Sequence, residues 1–415
     1  MSVIALVGFG TVALLATLLL HGYLWFRLVR GTTRPGRLRR RLTLLSLLLA
    51  LLPALALGLR RTLPLDAATP LDWVAYCWLG VAFYAFISLL VLEPVRLVGN
   101  AVLRRRARTP ELVPAATAPV EDPGPGPDPG DAVDPSRRLF LARGLAVTAG
   151  AVALGTAGTG AYFANSPPVV RRVPVTLAGL DPALDGMRIV TFSDGHLSAT
   201  YGGRRFERLV ELVNEQRPDV VAIVGDLVDG DVSELREEAA PLADLVSEQG
   251  VYFVTGNHEY FVDTNAWLRY LPTLGVDVLR NERVAIGRGG ATFDLAGIDD
   301  RTAASSGLPG HGANLDAALD GRDDGVPVVL LAHQPVLVEQ AAAAGVDLQL
   351  SGHTHGGQLW PFDYVIRLDQ PSVEGLSRHG DTQLYVTSGA GYWGPPMRVG
   401  ARPEVTVVEL RSPRL

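Results

Sequence analysis

The chain divides by the rhythm of its apolar positions. Up to about residue 165 they come in long runs; from about residue 170 they come in short bursts that stop at polar, glycine-containing turns. The long runs cover 2–26, 42–59, 73–92 and 139–164. A helix rises 1.5 Å per residue, and about 20 apolar residues cross the hydrocarbon layer of a bilayer, so each run predicts a transmembrane helix. Trp73, Tyr76 and Trp78 stand near the start of the third run, where interfacial anchors are expected. The short bursts lie at 187–192, 220–224, 251–254, 326–331, 346–350, 384–386 and 405–408. Their β-branched and aromatic content predicts buried strands. Amphipathic stretches at 203–216 and 235–249 fall between the early ones, so the class is α/β.

Arginine placement gives the membrane region a direction. The 27–41 loop holds Arg27, Arg30, Arg34, Arg37, Arg39, Arg40 and Arg41, whereas the 60–72 loop holds only Arg60 and Arg61. Arg96, Arg104, Arg105, Arg106 and Arg108 follow the third run. The positive-inside rule makes the first and last of these regions cytoplasmic, and a fourth span then carries everything after about residue 165 outside. Ser136-Arg137-Arg138-Leu139-Phe140-Leu141 resembles a twin-arginine export signal, though it is internal to the chain. Two positive-inside arginines flanking a helix would produce the same outward orientation. Four regions are expected: a three-helix membrane region over 1–100, a cytoplasmic Pro/Gly-rich linker over 101–135, the arginine pair with a fourth span over 136–165, and a catalytic domain over 166–415.

Composition narrows the chemistry. All basic residues are arginine, and the net charge of −6 argues against a nucleic-acid partner. Cys77 is the single cysteine and lies within the third apolar run, which excludes intrachain disulfides and cysteine-based zinc sites.

Five of the predicted strands end in residue types that bind metals. They run into Asp194-Gly195-His196, Gly225-Asp226-Leu227-Val228-Asp229, Gly256-Asn257-His258-Glu259, His333-Gln334-Pro335 and Gly352-His353-Thr354-His355-Gly356-Gly357-Gln358. Sites in α/β sheets form beyond the carboxyl ends of strands, so the five clusters can converge. Residues two apart in extended chain point the same way, so Asp194 with His196, and His353 with His355, can each face one site. The chain has eight histidines, and five of them fall in these clusters, which makes chance assembly a poor explanation. Carboxylate, imidazole and amide donors without thiolate suit Mn, Fe or Zn. Two such ions would clamp a phosphoryl group and activate water. Glu259 reads equally well as support for the site or as a solvated turn residue; His311 and His379 read as loop residues. Residues 299–325, polar and Gly-rich, read as a lid or a disordered loop.

The order D-x-H, G-D-x-x-D, G-N-H-E, H, G-H-x-H resembles the calcineurin-like metallophosphoesterase superfamily. Gly356-Gly357-Gln358 and the later Leu384-Tyr385-Val386, Gly389, Gly391, Pro396, Arg398 and Pro403-Glu404 resemble its bacterial membrane-associated branch, where twin-arginine export also occurs. The resemblance implies a two-sheet β sandwich flanked by helices. It assigns one divalent metal to Asp194, His196 and His355, the other to Asn257, His333 and His353, and makes Asp226 the bridge. His258 then faces substrate as general acid or cation, with Asp229 orienting it. Gly195 departs from the family pattern, which has a larger apolar residue there.

The expected activity is hydrolysis of a phosphomonoester or phosphodiester, such as a phospholipid or cell-envelope substrate, by metal-activated hydroxide. The partners expected are that substrate, the lipid bilayer and, during export, the twin-arginine translocase. The expected location is the cytoplasmic membrane, multi-pass, with the catalytic domain on the extracytoplasmic side. Pyrophosphatase activity on an acylated UDP-glucosamine is a rival, disfavoured by outward topology because nucleotide-sugar lipids are made inside. A membrane sensor or assembly module with an accessory phosphoesterase domain is a second rival; polar residues inside the spans would favour it.

Overall fold

The computed structural model describes residues 3–60, 62–107 and 135–413. Five helices precede the first strand: α1 (Val3–Leu24), α2 (Arg37–Leu59), α3 (Leu65–Val91), α4 (Glu93–Ala107) and α5 (Pro135–Ala164). Among the described residues, α2, α3 and Arg137–Ala164 of α5 are long and apolar enough to cross a membrane. Four spans were expected. The first, α1, is helical, but the side chains of its opening residues lie outside the described set. Helix α4 takes in the first residues expected to be linker, and 108–134, the rest of that linker apart from Pro135, lie outside the described residues.

The chain forms two compact units. One holds Thr11–Leu55 and Trp78–Ala157; the other joins Ala56–Cys77 to the residues from Gly158 onward. Within the first, Trp78 Nε1 donates to His21 Nε2 at 3.0 Å, and Arg27 pairs with Glu93. A buried polar group in such a helix set needs a partner of this kind.

The second unit contains two six-stranded sheets. The first has the order β1 (Val169–Thr176), β12 (Glu404–Arg411), β2 (Arg188–Phe192), β3 (Val220–Val224), β4 (Val251–Val254) and β5 (Val276–Val278). The second has the order β10 (Gly375–His379), β11 (Thr382–Val386), β9 (Leu348–Ser351), β8 (Val328–Leu331), β7 (Ala291–Gly297) and β6 (Glu282–Arg288). Strands β2 to β5 are parallel, as are β11, β9, β8 and β7, while β12 runs antiparallel to β2.

The strands read as continuous apolar runs because both of their faces are covered. On β3, Val220, Ala222 and Val224 enter the core between the sheets, while Val221 and Ile223 enter the core on the outer face. That outer core includes Phe206, Leu209, Val210 and Val213 of α6 (Arg204–Glu215), Leu235 of α7 (Val232–Ala239) and Trp267 of α8 (Thr264–Tyr270). On β8 the same alternation sends Val329 and Leu331 inward and Val328 and Leu330 outward, toward α9 (Leu315–Leu319) and α10 (Val338–Ala343). The result is the expected mixed α/β fold, a two-sheet sandwich flanked by helices.

The ends of two of these long apolar helices are built into this unit. Leu65 packs against the outer core, and Thr69 Oγ1 lies 3.1 Å from the Ala199 carbonyl. At the end of α5, Arg398 N donates to the Gly160 carbonyl at 2.9 Å, and Ala164 belongs to the outer core. A Cβ on Gly160 would stand 2.6 Å from Val399 Cγ2, so a larger residue there would displace the Val399 side chain.

Candidate metal centre

The parallel strands β2, β3, β4, β8 and β9 deliver five loops to one edge of the sandwich, beyond their carboxyl ends. Each loop must turn sharply to aim its side chains inward. Asp194, His196, Asp226, His353 and His355 all have positive φ, between 47° and 70°. Non-glycine residues rarely adopt this conformation, and such strain collects at functional sites where the surroundings over-determine it. Gly225 has φ 76°, and a Cβ there would lie 2.6 Å from His333 Nδ1 and 2.7 Å from Gly256 N. The second, third and fourth loops close on one another only because that position is bare.

Three overlapping groups of donors result: Asp194, His196 and His355; His196, Asp226 and His258; and Asp226, His333 and His353. His355 Nε2 is 3.0 Å from His196 Nε2 and 3.3 Å from Asp194 Oδ1. His333 Nδ1 donates to the Val224 carbonyl at 2.7 Å, which turns Nε2 toward Asp226 Oδ2, 3.1 Å away. Close as they are, His333 Nε2 makes no hydrogen bond, and the buried Asn257 Oδ1 has none either. Orphaned buried acceptors of this kind call for a ligand. With carboxylates and imidazoles converging and no thiolate, the donor set fits a divalent cation.

Asp229 lies behind these donors. Its Oδ1 accepts from His258 Nδ1 at 2.7 Å and from His196 Nδ1 at 2.9 Å. The sequence assigns it to His258 alone; the fold makes it serve a candidate ligand as well. Both imidazoles are thereby set with Nε2 toward the centre. His258 Nε2 is 4.0 Å from Asp226 Oδ2, and its ring lies against Phe261 and Trp393 at centroid distances of 5.0 and 5.5 Å.

Glu259 is a structural anchor, not a solvated turn carboxylate. It is 1 % exposed and accepts N–H bonds from Gly256 at 2.6 Å, Asp226 at 3.0 Å, Leu227 at 2.8 Å and Val228 at 3.3 Å. It clamps the second metal-ligand loop to the third. Arg398, to which sequence reasoning gave no role, is 1 % exposed and donates to the carbonyls of His355, Ser388 and Gly391 at 2.6, 2.7 and 2.9 Å. Its place in the Gly389, Gly391, Pro396, Arg398 pattern was the available signal, but that pattern does not say that the guanidinium gathers loop carbonyls.

The stretch expected to be a lid or disordered loop is ordered, and its start is interior. Asp299 and Asp300 are fully buried. Asp299 pairs with Arg280 at 2.7 Å, and Asp300 accepts from Gln334 Nε2 at 3.0 Å, beside His333. Paired buried carboxylates explain its first two residues, whereas most of 301–325 is exposed or half-buried. His311 bonds Tyr260 and Asn265, and His379 bonds Ser377, so neither joins the centre. The Cβ position of Gly195 faces Leu227 at ordinary contact distance, so its departure from the family pattern leaves the ligands alone.

The electrostatics follow from crowding. Burial works to raise the Asp226 carboxyl, but His333, His258 and His196 outweigh it, and it sits well below its usual range. Burial raises Asp194, against the pull of His333. Burial pulls His258 down, yet Asp226 and Asp229 leave it raised to about 9. Burial and then Arg398 hold His355 well below its ordinary value, as a neutral ligand requires. Burial and Asp226 push Glu259 up to about 7, against N–H donors that favour the anion.

Known proteins place this geometry. The calcineurin-like phosphoesterase family matches residues 187–357, which contain every candidate ligand and both residues that flank them. A transmembrane protein with metallophosphoesterase domain from Danio rerio is 42% identical over 260 residues, covering 61% of this chain and 60% of that protein. The protein of the same name from Bos taurus is 40% identical over 290 residues, 68% of this chain and 65% of its own length. The chain thus spans somewhat under two thirds of the length of these vertebrate relatives. An uncharacterized metallophosphoesterase of Bacillus subtilis, YkuE, is 32% identical over 291 residues, 67% of this chain and 98% of YkuE. With ligand loops, fold and relatives in agreement, the chain belongs to the calcineurin-like phosphoesterase family.

Proposed function

We propose that this chain is a membrane-anchored phosphoesterase that uses two divalent metal ions to hydrolyse a phosphomonoester or phosphodiester. The observation that carries the reading is a pair of donor groups, Asp194 with His196 and His355 and Asp226 with His333 and His353, linked by a third group in which Asp226 stands with His196. Asp194, His196 and His355 would hold one ion, Asn257, His333 and His353 the other, with Asp226 between them. Such ions, of which Mn, Fe and Zn suit the donors, lower the pKa of water and offset charge on the phosphoryl group. His258 acts from the chain itself. Its Nδ1 is committed to Asp229, so the proton it can give up is on Nε2, at the mouth of the site beside Trp393. That proton goes to the departing oxygen.

We read the chain as a multi-pass protein of the cytoplasmic membrane with its catalytic domain on the extracytoplasmic side. Arginine asymmetry supports this. The joining of the end of α2, the start of α3 and the end of α5 to the catalytic sheets in one compact unit fits the multi-pass part of the reading, since alternating spans bring those three ends to one side. Arg137 and Arg138 at the start of α5 fit export by the twin-arginine route, as in the bacterial membrane-associated branch.

The test uses the full chain in detergent micelles. Metal analysis after repurification should give about two ions per chain, and chelation should abolish hydrolysis of nitrophenyl phosphate esters, with Mn, Fe or Zn restoring it. Full activity in chelator, from protein holding no metal, overturns the reading.

A further inference from the structure

Beyond the membrane helices, large exposed apolar side chains gather beside the candidate centre. Trp360, Phe362, Tyr364, Val365 and Leu368 are 53, 48, 64, 51 and 86 % exposed, and Trp393 is 50 % exposed. Soluble surfaces rarely present such a cluster without a use for it. The cluster is tied to the catalytic loops. The chain reaches Trp360 five residues after His355, and Gln358 brackets Trp393, donating to its carbonyl at 2.8 Å and accepting from its N–H at 3.0 Å. Trp393 in turn faces the His258 ring.

The cluster is also tied to the end of α5. Trp360 N donates to the Val399 carbonyl at 2.8 Å, and Val399 is the residue against which Gly160 of α5 closes. The Arg402 guanidinium lies 4.5 Å from the ring centre of Phe163, one residue before α5 ends. With α5 crossing the bilayer and entering the catalytic unit from Gly158 onward, these loops fall at the height of the headgroups. Trp and Tyr with an apolar body and a polar edge are the residues that settle there.

We propose that residues 360–368 and Trp393 dip into the leaflet beside the end of α5, and that the substrate is a phospholipid-type phosphate ester reaching the metal centre from that leaflet. This rests on the phosphoesterase reading above. The reaction needs only water: its oxygen joins phosphorus, the P–O bond to the lipid breaks, and the lipid oxygen leaves with a proton.

The experiment uses the full chain in proteoliposomes of phosphatidylcholine with phosphatidic acid and phosphatidylglycerol. A spin label on Leu368→Cys, in a Cys77→Ser background, should be relaxed more by oxygen than by a water-soluble nickel chelate. The double variant Val365→Asp/Leu368→Asp should hydrolyse nitrophenyl phosphate esters within about twofold of wild type, because neither side chain belongs to the metal loops. It should lose about tenfold or more on the long-chain anionic lipids. A label relaxed chiefly by the nickel chelate, or equal lipid turnover by wild type and variant, overturns the proposal. So does a label shielded from both reagents together with a doubled particle mass, which would mean a protein partner. Loss of every hydrolytic activity in wild type, with the label still in the bilayer, would instead count against the phosphoesterase reading alone.

Discussion

Replacing Asp229 with Asn separates the role read from the motif from the role seen in the fold. As the anchor of His258 alone, the carboxylate would control the rate but leave metal binding untouched. Its Oδ1 in fact accepts from His258 at 2.7 Å and from His196 at 2.9 Å. Asn keeps the shape and one acceptor oxygen but removes the charge. A hydrogen bond to a charged group contributes about 1.5–3 kcal/mol and a neutral one about 1, so the change costs roughly 0.5–2 kcal/mol per bond. One bond bears on the proton donor and the other on a candidate ligand. Each share corresponds to about 2–30-fold, overlapping the ~10–100-fold usual for partners behind metal ligands. D229N should therefore weaken metal affinity by about tenfold and lower kcat at saturating metal by a similar factor. The assay is a metal titration of the chelated full chain in detergent, followed by hydrolysis of nitrophenyl and alkyl phosphate esters, with His258→Gln alongside. If D229N binds metal as tightly as wild type while its kcat falls, His196 is not held through Asp229, and the shared-carboxylate argument is wrong.

Three further outcomes are expected. Asp226→Ala should lose bound metal and activity together, whereas His258→Ala should keep metal and lose ~10²–10⁴ in rate, less for nitrophenyl leaving groups; a metal-depleted His258→Ala would make His258 a ligand. Glu259→Ala leaves four backbone N–H groups at the junction of two ligand loops without their acceptor; at about 1–3 kcal/mol for an unsatisfied buried group, thermal unfolding of the metal-free chain should drop by several degrees, and an unchanged midpoint would refute the clamp. Protease added to intact spheroplasts should degrade the catalytic domain; cleavage confined to the 109–135 linker, with that domain protected, would reverse the proposed orientation.

What the sequence determined by itself was whatever depends on neighbours along the chain. Apolar runs long enough to span a bilayer, two-faced buried strands such as β3 and β8, and ligand residues placed just past strand ends are local patterns. They suffice for the α/β class and for the candidate ligands from Asp194 to His355. Short edge strands were not legible: β5, β6 and β10 alternate weakly or are only three to seven residues long, and pairing rather than composition makes them strands. The start of α3 could not be assigned to the catalytic unit, because the contact between Thr69 and Ala199 joins residues 130 apart. Tertiary structure alone decided which buried charges are structural. Glu259 and Asp300 look like solvated turn residues until the backbone amides of one loop and the amide of Gln334 close around them. Burying a carboxylate is costly unless donors converge on it, and those donors come from segments that only the fold brings together.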